Sequence, residues 1–492
     1  MSKDIIYNDA TNLSQLIRDE KLSSRDLLEA HIQQIEKFDK HINSCIAFDY
    51  DNARVLADQA DLAVKDQRPL GRLHGIPMTI KDAFKVKGMP CTDGNPEFQH
   101  YFPNRNAVSV DKLVSAGVIP FAKTNVPFKC ADIQTYNQFY GTSNNPWNLA
   151  LTTGGSSGGS AAALASGFTS IELGSDIGGS IRTPSHFCGV YGHKSTYGIV
   201  DFNGHILNSE EELSQPDLAV IGPMARSARD LSLMLDILIE PDTDEFRVFH
   251  LKESEKKTIQ EFKVLFWMDD ESCPIDFRIK KKYEELLEIL KMANVKVDVG
   301  RPKNWDFDKI YGSYASRLVS QMTFADSKLS RLSMSVSTPL LKLLNGTSGV
   351  PPLLHNFTQG ANLSHAKWIG KYEESLQIKQ ECLKIFSEYD VILCPPIMTL
   401  AFEHDHKEPL LFRTLNVNQQ KRYYLELFKW ISTATVMGLP ATSAPIGLSE
   451  DNLPVNIQIM AQPFADKVTI KFAELLAKYT DGFQRPSLNF KE

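Results

Sequence analysis

The chain has 492 residues, 42% of them hydrophobic and 23% charged, the balance of a folded protein with a large core rather than a disordered or fibrous one. Asp and Glu (60) outnumber Lys and Arg (53) for a formal charge of -7, which argues against a broadly basic nucleic-acid binder. The 7 cysteines are scattered from Cys45 to Cys394 without paired spacing, which excludes a disulfide scaffold and a zinc-finger type of site.

The first residues, Met1-Ser2-Lys3-Asp4-Ile5, turn polar at once and carry no secretory core. No uncharged stretch reaches the length that spans a bilayer. The expectation is a cytoplasmic protein, with peripheral contact to a membrane surface left open. Leu13, Leu16 and Ile17 repeat at helical spacing, and Leu27, Leu28, Ile32, Ile35 and Phe38 form a second stripe that Ser23 caps. From Leu73 to Lys81 the pattern changes. Ile76, Met78 and Ile80 alternate with Pro77, Thr79 and Lys81, so a strand delivers Lys81 to its end.

A helix closed by Gly117 leads into a strand over Val118 to Ala122. Residues 141–160 read as turns, with Asn148 to Thr153 a loop, before a helix over Ala161 to Ala165 and a short strand over Ile171 to Leu173. A helix from about Ser227 to Leu238, a strand at Val264 to Trp267, a helix over Ile279 to Met292 and a strand through Val295, Val297 and Val299 follow. Residues 309–365 are apolar but irregular, with Leu332, Met334, Val336, Leu340, Leu341, Leu343, Leu344, Leu353 and Leu354. Packed helices and a substrate-facing cap both fit that composition. A long helix from about Leu363 to Phe386, strands at Val391 to Leu393 and Val455 to Ile459, and a last helix at Val468 to Leu476 complete the chain. The succession predicts an α/β fold with a largely buried sheet.

The densest chemical signal is Gly154-Gly155-Ser156-Ser157-Gly158-Gly159-Ser160, followed by Asp176-Ile177-Gly178-Gly179-Ser180-Ile181-Arg182. Glycine lets main-chain N–H groups approach a ligand closely, and such nests hold phosphate or a developing oxyanion. Neither segment has the lysine of a phosphate-binding loop, and no dinucleotide-type glycine pattern opens a helix. Gly154-x-Ser156-x-Gly158 and Gly155-x-Ser157-x-Gly159 match a nucleophile elbow, but that motif should follow a strand. His404 and His406 could serve such a serine as base, although they lie in a charged, turn-prone stretch. A lysine serves equally if burial and neighbouring donors keep it neutral, and Lys81 ends an apolar strand.

These segments, with Gly75-Ile76-Pro77-Met78-Thr79-Ile80-Lys81-Asp82, Asn144-Asn145-Pro146-Trp147, Gly222-Pro223-Met224-Ala225-Arg226 and Gly438-Leu439-Pro440, resemble the amidase signature family over roughly residues 10–480. The resemblance implies one amidase domain over residues 1–492, built on a large mixed, twisted sheet flanked by helices on both faces, with the stretch at about 309–365 inserted in its substrate region. It implies a Ser-cisSer-Lys triad that falls on Ser180 as nucleophile, Ser156 as relay after a cis peptide bond, and Lys81 as base. The main-chain N–H groups of Ile177, Gly178, Gly179 and Ser180 would form the oxyanion hole, supported by Ser157, Asp176 and Arg182. No metal or cofactor is implied, and no His-x-x-His or His-Glu-x-x-His pattern is present.

The context of Ile221 to Arg226, the apolar middle and the ending Gly482-Phe483-Gln484-Arg485-Pro486 look most like the fatty-acid amide hydrolase 2-like branch. That branch implies a small-molecule amide substrate with a hydrophobic acyl part, for which Leu340, Leu341, Leu344 and Leu353 are candidate pocket residues. A homodimer and contact with a membrane surface are compatible with this reading, and no nucleic-acid partner is expected. Alternatives are a hydrolase of small or amino-acid amides, the glutaminase subunit of a tRNA-dependent amidotransferase, and a catalytically silent relative. The glutaminase branch typically has an aspartate where this chain has Phe428, and a Ser-Asn-Leu-Ala-Arg-Tyr-Asp-Gly run where it reads Gly312-Ser313-Tyr314-Ala315-Ser316-Arg317-Leu318.

Overall fold

The computed structural model describes residues 5–206, 214–241, 249–345, 347, 349–407 and 409–490. The polar run Met1 to Asp4 and, within the apolar middle, Gly346 and Ser348 lie outside the described residues. The architecture is the α/β arrangement expected. Its main sheet has eight strands, in spatial order Lys296–Val299, Lys263–Phe266, Val391–Cys394, Pro454–Met460, Ala441–Leu448, Tyr191–Lys194, Val220–Ala225 and Ile171–Asp176. Lys263–Phe266 pairs in parallel with both its neighbours, whereas every other pairing is antiparallel, so the sheet is mixed. A second sheet of three strands places Val118–Thr124 between Cys45–Phe48 and Ile76–Lys81.

Helices follow their apolar stripes. Ser24–Ile42 starts where the Ser23 hydroxyl accepts from the Asp26 N–H at 2.9 Å, and it buries Leu27, Leu28, Ile32 and Ile35. Ala228–Leu238 starts the same way from Ser227. The stretch at 309–365 resolves into the helices Phe307–Met322, Lys328–Ser335, Thr338–Leu343 and Leu354–Gly360. Of these, Phe307–Met322 and Leu354–Gly360 carry the buried residues, and the two between them carry none.

One expectation needs correction. Asn148–Thr152 is a strand, not a loop, pairing antiparallel with Asn144–Asn145. The Asn145 amide donates to the carbonyls of Thr152 and Phe187, at 3.0 and 2.9 Å, and so pins the hairpin to the chain beneath it. These tertiary bonds supply the order that the turn-rich composition hides.

Candidate active site

Lys81 is the last residue of a strand buried along its whole length, and it stands opposite Thr124 in the parallel ladder. Its side chain is wholly enclosed. Nζ donates to Ser156 Oγ at 2.8 Å, to Ser175 Oγ at 2.9 Å and to Ser157 Oγ at 3.0 Å. Three hydroxyl oxygens therefore take the three N–H groups of one ammonium.

The glycine-serine run reaches Lys81 by passing very close to other main chain. A Cβ on Gly155 would stand 2.6 Å from the Asp132 carbonyl oxygen and 2.8 Å from the Ile133 carbonyl carbon, so only glycine fits there. The Gly155–Ser156 peptide bond is cis. Ser157 donates its main-chain N–H to the Ser180 carbonyl at 3.2 Å, which joins this run to the second glycine segment. The helix Gly158–Ala165 follows, buried at every residue.

The second segment leaves the end of the strand Ile171–Asp176 and wraps around the Asp176 carboxylate. Asp176 accepts from the N–H of Gly179 at 3.0 Å, from that of Ile181 at 3.2 Å, and from Arg182 Nε and Nη2 at 3.0 and 2.8 Å. Arg182 also donates to the Ile431 carbonyl, Gln458 Oε1 and Thr435 Oγ1, at 2.8 to 2.9 Å. Burial alone would raise the Asp176 carboxyl, but the Arg182 guanidinium outweighs it and holds the group below the ordinary carboxylate range.

Gly179 has φ +85°, and this turns Ser180 back towards the glycine-serine run. Of the four main-chain groups expected in an oxyanion hole, the Gly179 N–H is thus engaged by Asp176. Those of Ile177, Gly178 and Ser180 meet no protein acceptor among the described residues. Ser180 is buried, and its hydroxyl forms no hydrogen bond among the described residues.

Above this loop the surroundings are aromatic. A methyl group on Gly178 would stand 3.1 Å from Phe428 Cε1 and 3.3 Å from Tyr314 Oη, which itself donates to the Ile177 carbonyl at 3.2 Å. The leucines expected to line a pocket are spread out. Leu340 is 59% exposed, Leu341 and Leu353 pack partly buried against the core, and Leu344 is partly exposed. His404 and His406 stand on another loop, where His406 stacks on Tyr136 with ring centroids 3.7 Å apart.

Several neighbours of Lys81, Ser156 and Ser180 carry weaker sequence signals. Ser175 stands one residue before the second glycine segment, yet it is the third hydroxyl on Lys81. Its Oγ is also 2.9 Å from His205 Nε2. Asp93, fully buried, has no regular hydrogen-bond partner for either carboxyl oxygen among the described residues. It faces the Cys130 thiol, and burial pushes it well above the usual carboxylate range. Asp93 and Cys130 both have left-handed backbone, with φ of +53° and +52°. Nothing in the sequence marked either residue, because the turns that bring them together are 37 residues apart.

Comparison with known proteins places this geometry. The Amidase family profile matches residues 26–470. The human protein named fatty-acid amide hydrolase 2 is 30% identical over 96% of this chain and 89% of its own length. A glutamyl-tRNA(Gln) amidotransferase component from Dehalococcoides mccartyi is also 30% identical, over 93% of this chain and 94% of its own length. Relatives therefore divide between two branches at equal identity, and similarity does not favour the fatty-acid amide branch as the sequence motifs did. A solved bacterial aryl acylamidase superposes with a TM-score of 0.78 over 96% of each chain at 21% identity, which speaks for the fold. With its glycine-serine motifs, mixed sheet and matched span in agreement, this chain belongs to the Amidase family, whose chemistry is the hydrolysis of amide bonds.

Proposed function

We propose that this protein hydrolyses carboxylic amides whose acyl part is hydrophobic, fatty-acid amides included, through an acyl-enzyme on Ser180. The observation that carries the reading is the 2.8 Å approach of Lys81 Nζ to Ser156 Oγ, beside the cis bond that the family resemblance anticipates. Lys81 in its amine form takes the Ser156 proton while Ser156 takes that of Ser180, and the Ser180 oxygen attacks the amide carbon. The N–H groups of Ile177, Gly178 and Ser180 are available to the oxyanion, while Gly179 holds the loop in shape through Asp176. The proton then returns along the same path to the leaving nitrogen, the C–N bond breaks, and an ester to Ser180 remains. A water molecule, deprotonated through Ser156 and Lys81, cleaves that ester and releases the carboxylic acid.

Phe428 and Tyr314, packed over Gly178, support an apolar acyl side, since a carboxylate or ammonium there would be desolvated without a partner. Each acyl methylene removed from water contributes about 0.8 kcal/mol, or about fourfold in kcat/KM. The test is a series of primary amides with acyl chains of two to twenty carbons, run on the wild type and on Ser180→Ala. Rising kcat/KM with chain length supports the reading, and a flat or falling profile removes the hydrophobic acyl class. Turnover only with a co-purifying second protein would favour the amidotransferase reading. Leu329, Leu332, Val336, Leu340 and Leu343, each at least half exposed on the helices Lys328–Ser335 and Thr338–Leu343 or beside them, are the surface to which peripheral membrane contact is assigned.

A further inference from the structure

Lys81 must change its hydrogen bonding when it acts. As an ammonium it donates to Ser156, Ser157 and Ser175 together. As an amine it has two N–H groups and one lone pair, so one of the three hydroxyls must turn from acceptor to donor. Proton withdrawal requires that one to be Ser156. A Ser175 hydroxyl free to rotate would compete for the same lone pair and block the relay.

Ser175 is not free to rotate. Its Oγ lies 2.9 Å from Lys81 Nζ and 2.9 Å from His205 Nε2. The histidine is firmly seated. Its backbone forms an antiparallel bridge with Phe84, and its N–H donates to the Phe202 carbonyl at 3.1 Å. The Phe84 ring meets the imidazole edge-on, at 4.9 Å between centroids, and the Phe202 ring packs at 4.6 Å. Burial, followed by the charge of Lys81, holds the ring well below its ordinary value and therefore neutral, with one nitrogen protonated. Nδ1 has no regular hydrogen-bond partner among the described residues, and the backbone of Ile206 partly offsets the lowering of the ring.

Resting on the reading of Lys81 as the base, the geometry points to His205 as a positioning residue of the same site: Nε2 accepts the Ser175 O–H, Ser175 presents only oxygen lone pairs to Lys81, and the lysine lone pair is left to Ser156. The opposite tautomer, protonated on Nε2, would donate to Ser175 and turn its O–H towards Lys81. The tautomer thus sets the direction of hydrogen bonding through Ser175 into the base. No proton passes through His205 itself. Its effect falls on kcat, since nothing in this chain of contacts involves the substrate.

The test uses the full chain with a medium-chain acyl p-nitroanilide, and the variants His205→Phe, His205→Gln, Ser175→Ala, His205→Phe/Ser175→Ala and Lys81→Ala. Removing the acceptor in His205→Phe should lower kcat by about tenfold or more with KM within about twofold. His205→Gln, whose side-chain carbonyl can take the Ser175 hydrogen bond, should recover most of the rate. In the double variant the loss should equal that of Ser175→Ala alone, because His205 acts only through that hydroxyl. Wild-type kcat in His205→Phe, multiplying losses in the double variant, or a glutamine no better than phenylalanine would each overturn the proposal. If His205→Phe does not fold, the ¹⁵N resonances of His205 in the wild type, assigned against His205→Gln, decide. Protonation at Nδ1 is expected, and protonation at Nε2 sinks the idea. Lys81→Ala separates the two levels: normal anilide turnover there would refute the base itself, whereas a dead Lys81→Ala with an unaffected His205→Phe would refute only the role of His205.

Discussion

Replacing Arg182 by methionine tests how the loop that carries Ser180 is held. The Arg182 guanidinium makes two hydrogen bonds to the Asp176 carboxylate and three more to Ile431, Gln458 and Thr435, all out of contact with water. Methionine fills much of the volume but leaves the carboxylate buried without its counter-charge, a change that costs about 3–5 kcal/mol. With an unfolding entropy of about 2.1 cal/mol/K per residue, a chain of 492 residues has about 1 kcal/mol/K in total, so Tm should fall by about 3–5 °C. The pH dependence gives the sharper signature. In the wild type the Asp176 carboxyl is held low, so its stabilisation is present above the unfolded value, about 3.9, and is lost only as pH falls through the lower folded one.

In Arg182→Met the sign reverses. Burial without the guanidinium raises the folded value, the native state then binds a proton that the unfolded chain has released, and stability declines as pH rises. Calorimetry of wild type and variant at pH 5 and pH 8 should therefore show the larger deficit at pH 8. Adding Asp176→Asn should recover part of the loss and remove its pH dependence. A deficit equal at both pH values, unchanged by Asp176→Asn, would mean that Arg182 contributes packing alone and would refute the electrostatic account.

Lys81→Ala should slow anilides more than the matched esters, because the amine leaving group needs the returned proton and a phenolate does not; equal losses in paired assays would count against Lys81 as the acid. Phe428→Asp, which sets a carboxylate beside Gly178, should lower kcat/KM for long-chain amides by about tenfold or more while sparing the shortest acyl chains, and a uniform loss across the series would remove Phe428 from the acyl side. Burial raises Glu172 to about 8, so the wild type loses stability as pH climbs from the unfolded value, about 4.3, towards 8. Melting curves of Glu172→Gln should accordingly gain on the wild type between pH 5 and pH 8, and a constant difference would show that Glu172 does not titrate in that window.

The parts of the fold most legible in the sequence were those whose order is local. Ser24–Ile42 could be read from its stripe and its cap, and Ile76–Lys81 from its alternation and its position before Asp82. Two central strands of the large sheet were not. Tyr191–Lys194 and Ala441–Leu448 have little alternation, because both of their faces are covered and polar side chains lie inside. His193 is enclosed because Asp466 stands 3.0 Å from its Nε2, and Lys194 because the Leu439 carbonyl takes its N–H at 2.8 Å. Those partners are 273 and 245 residues away, and no window of sequence contains them. In Ala441–Leu448 the register shifts between Pro445 and Gly447, which further breaks the period.

The site divides along the same line. Its three chemical groups could be named because each sits in a dense motif, but the motif gives identity and not distance. Lys81 meets Ser156 and Ser175 across 75 and 94 residues of chain, through strand pairing and a glycine run threaded past Asp132. What lies outside the motifs stayed hidden in proportion to its separation. His205 reaches Ser175 from a turn that has no recognisable composition, and Asp93 meets Cys130 through two left-handed turns. Substrate preference is hidden most of all. The proposed acyl side rests on the convergence of Phe428 and Tyr314, residues more than a hundred positions apart, on Gly178. An apolar run such as Leu340 to Leu344 is more conspicuous in the sequence, yet it turns much of its surface to solvent. Apolar density along the chain reports where oil must be placed somewhere. It does not report which apolar groups stand beside Gly178, where here two aromatic rings approach a residue without a side chain.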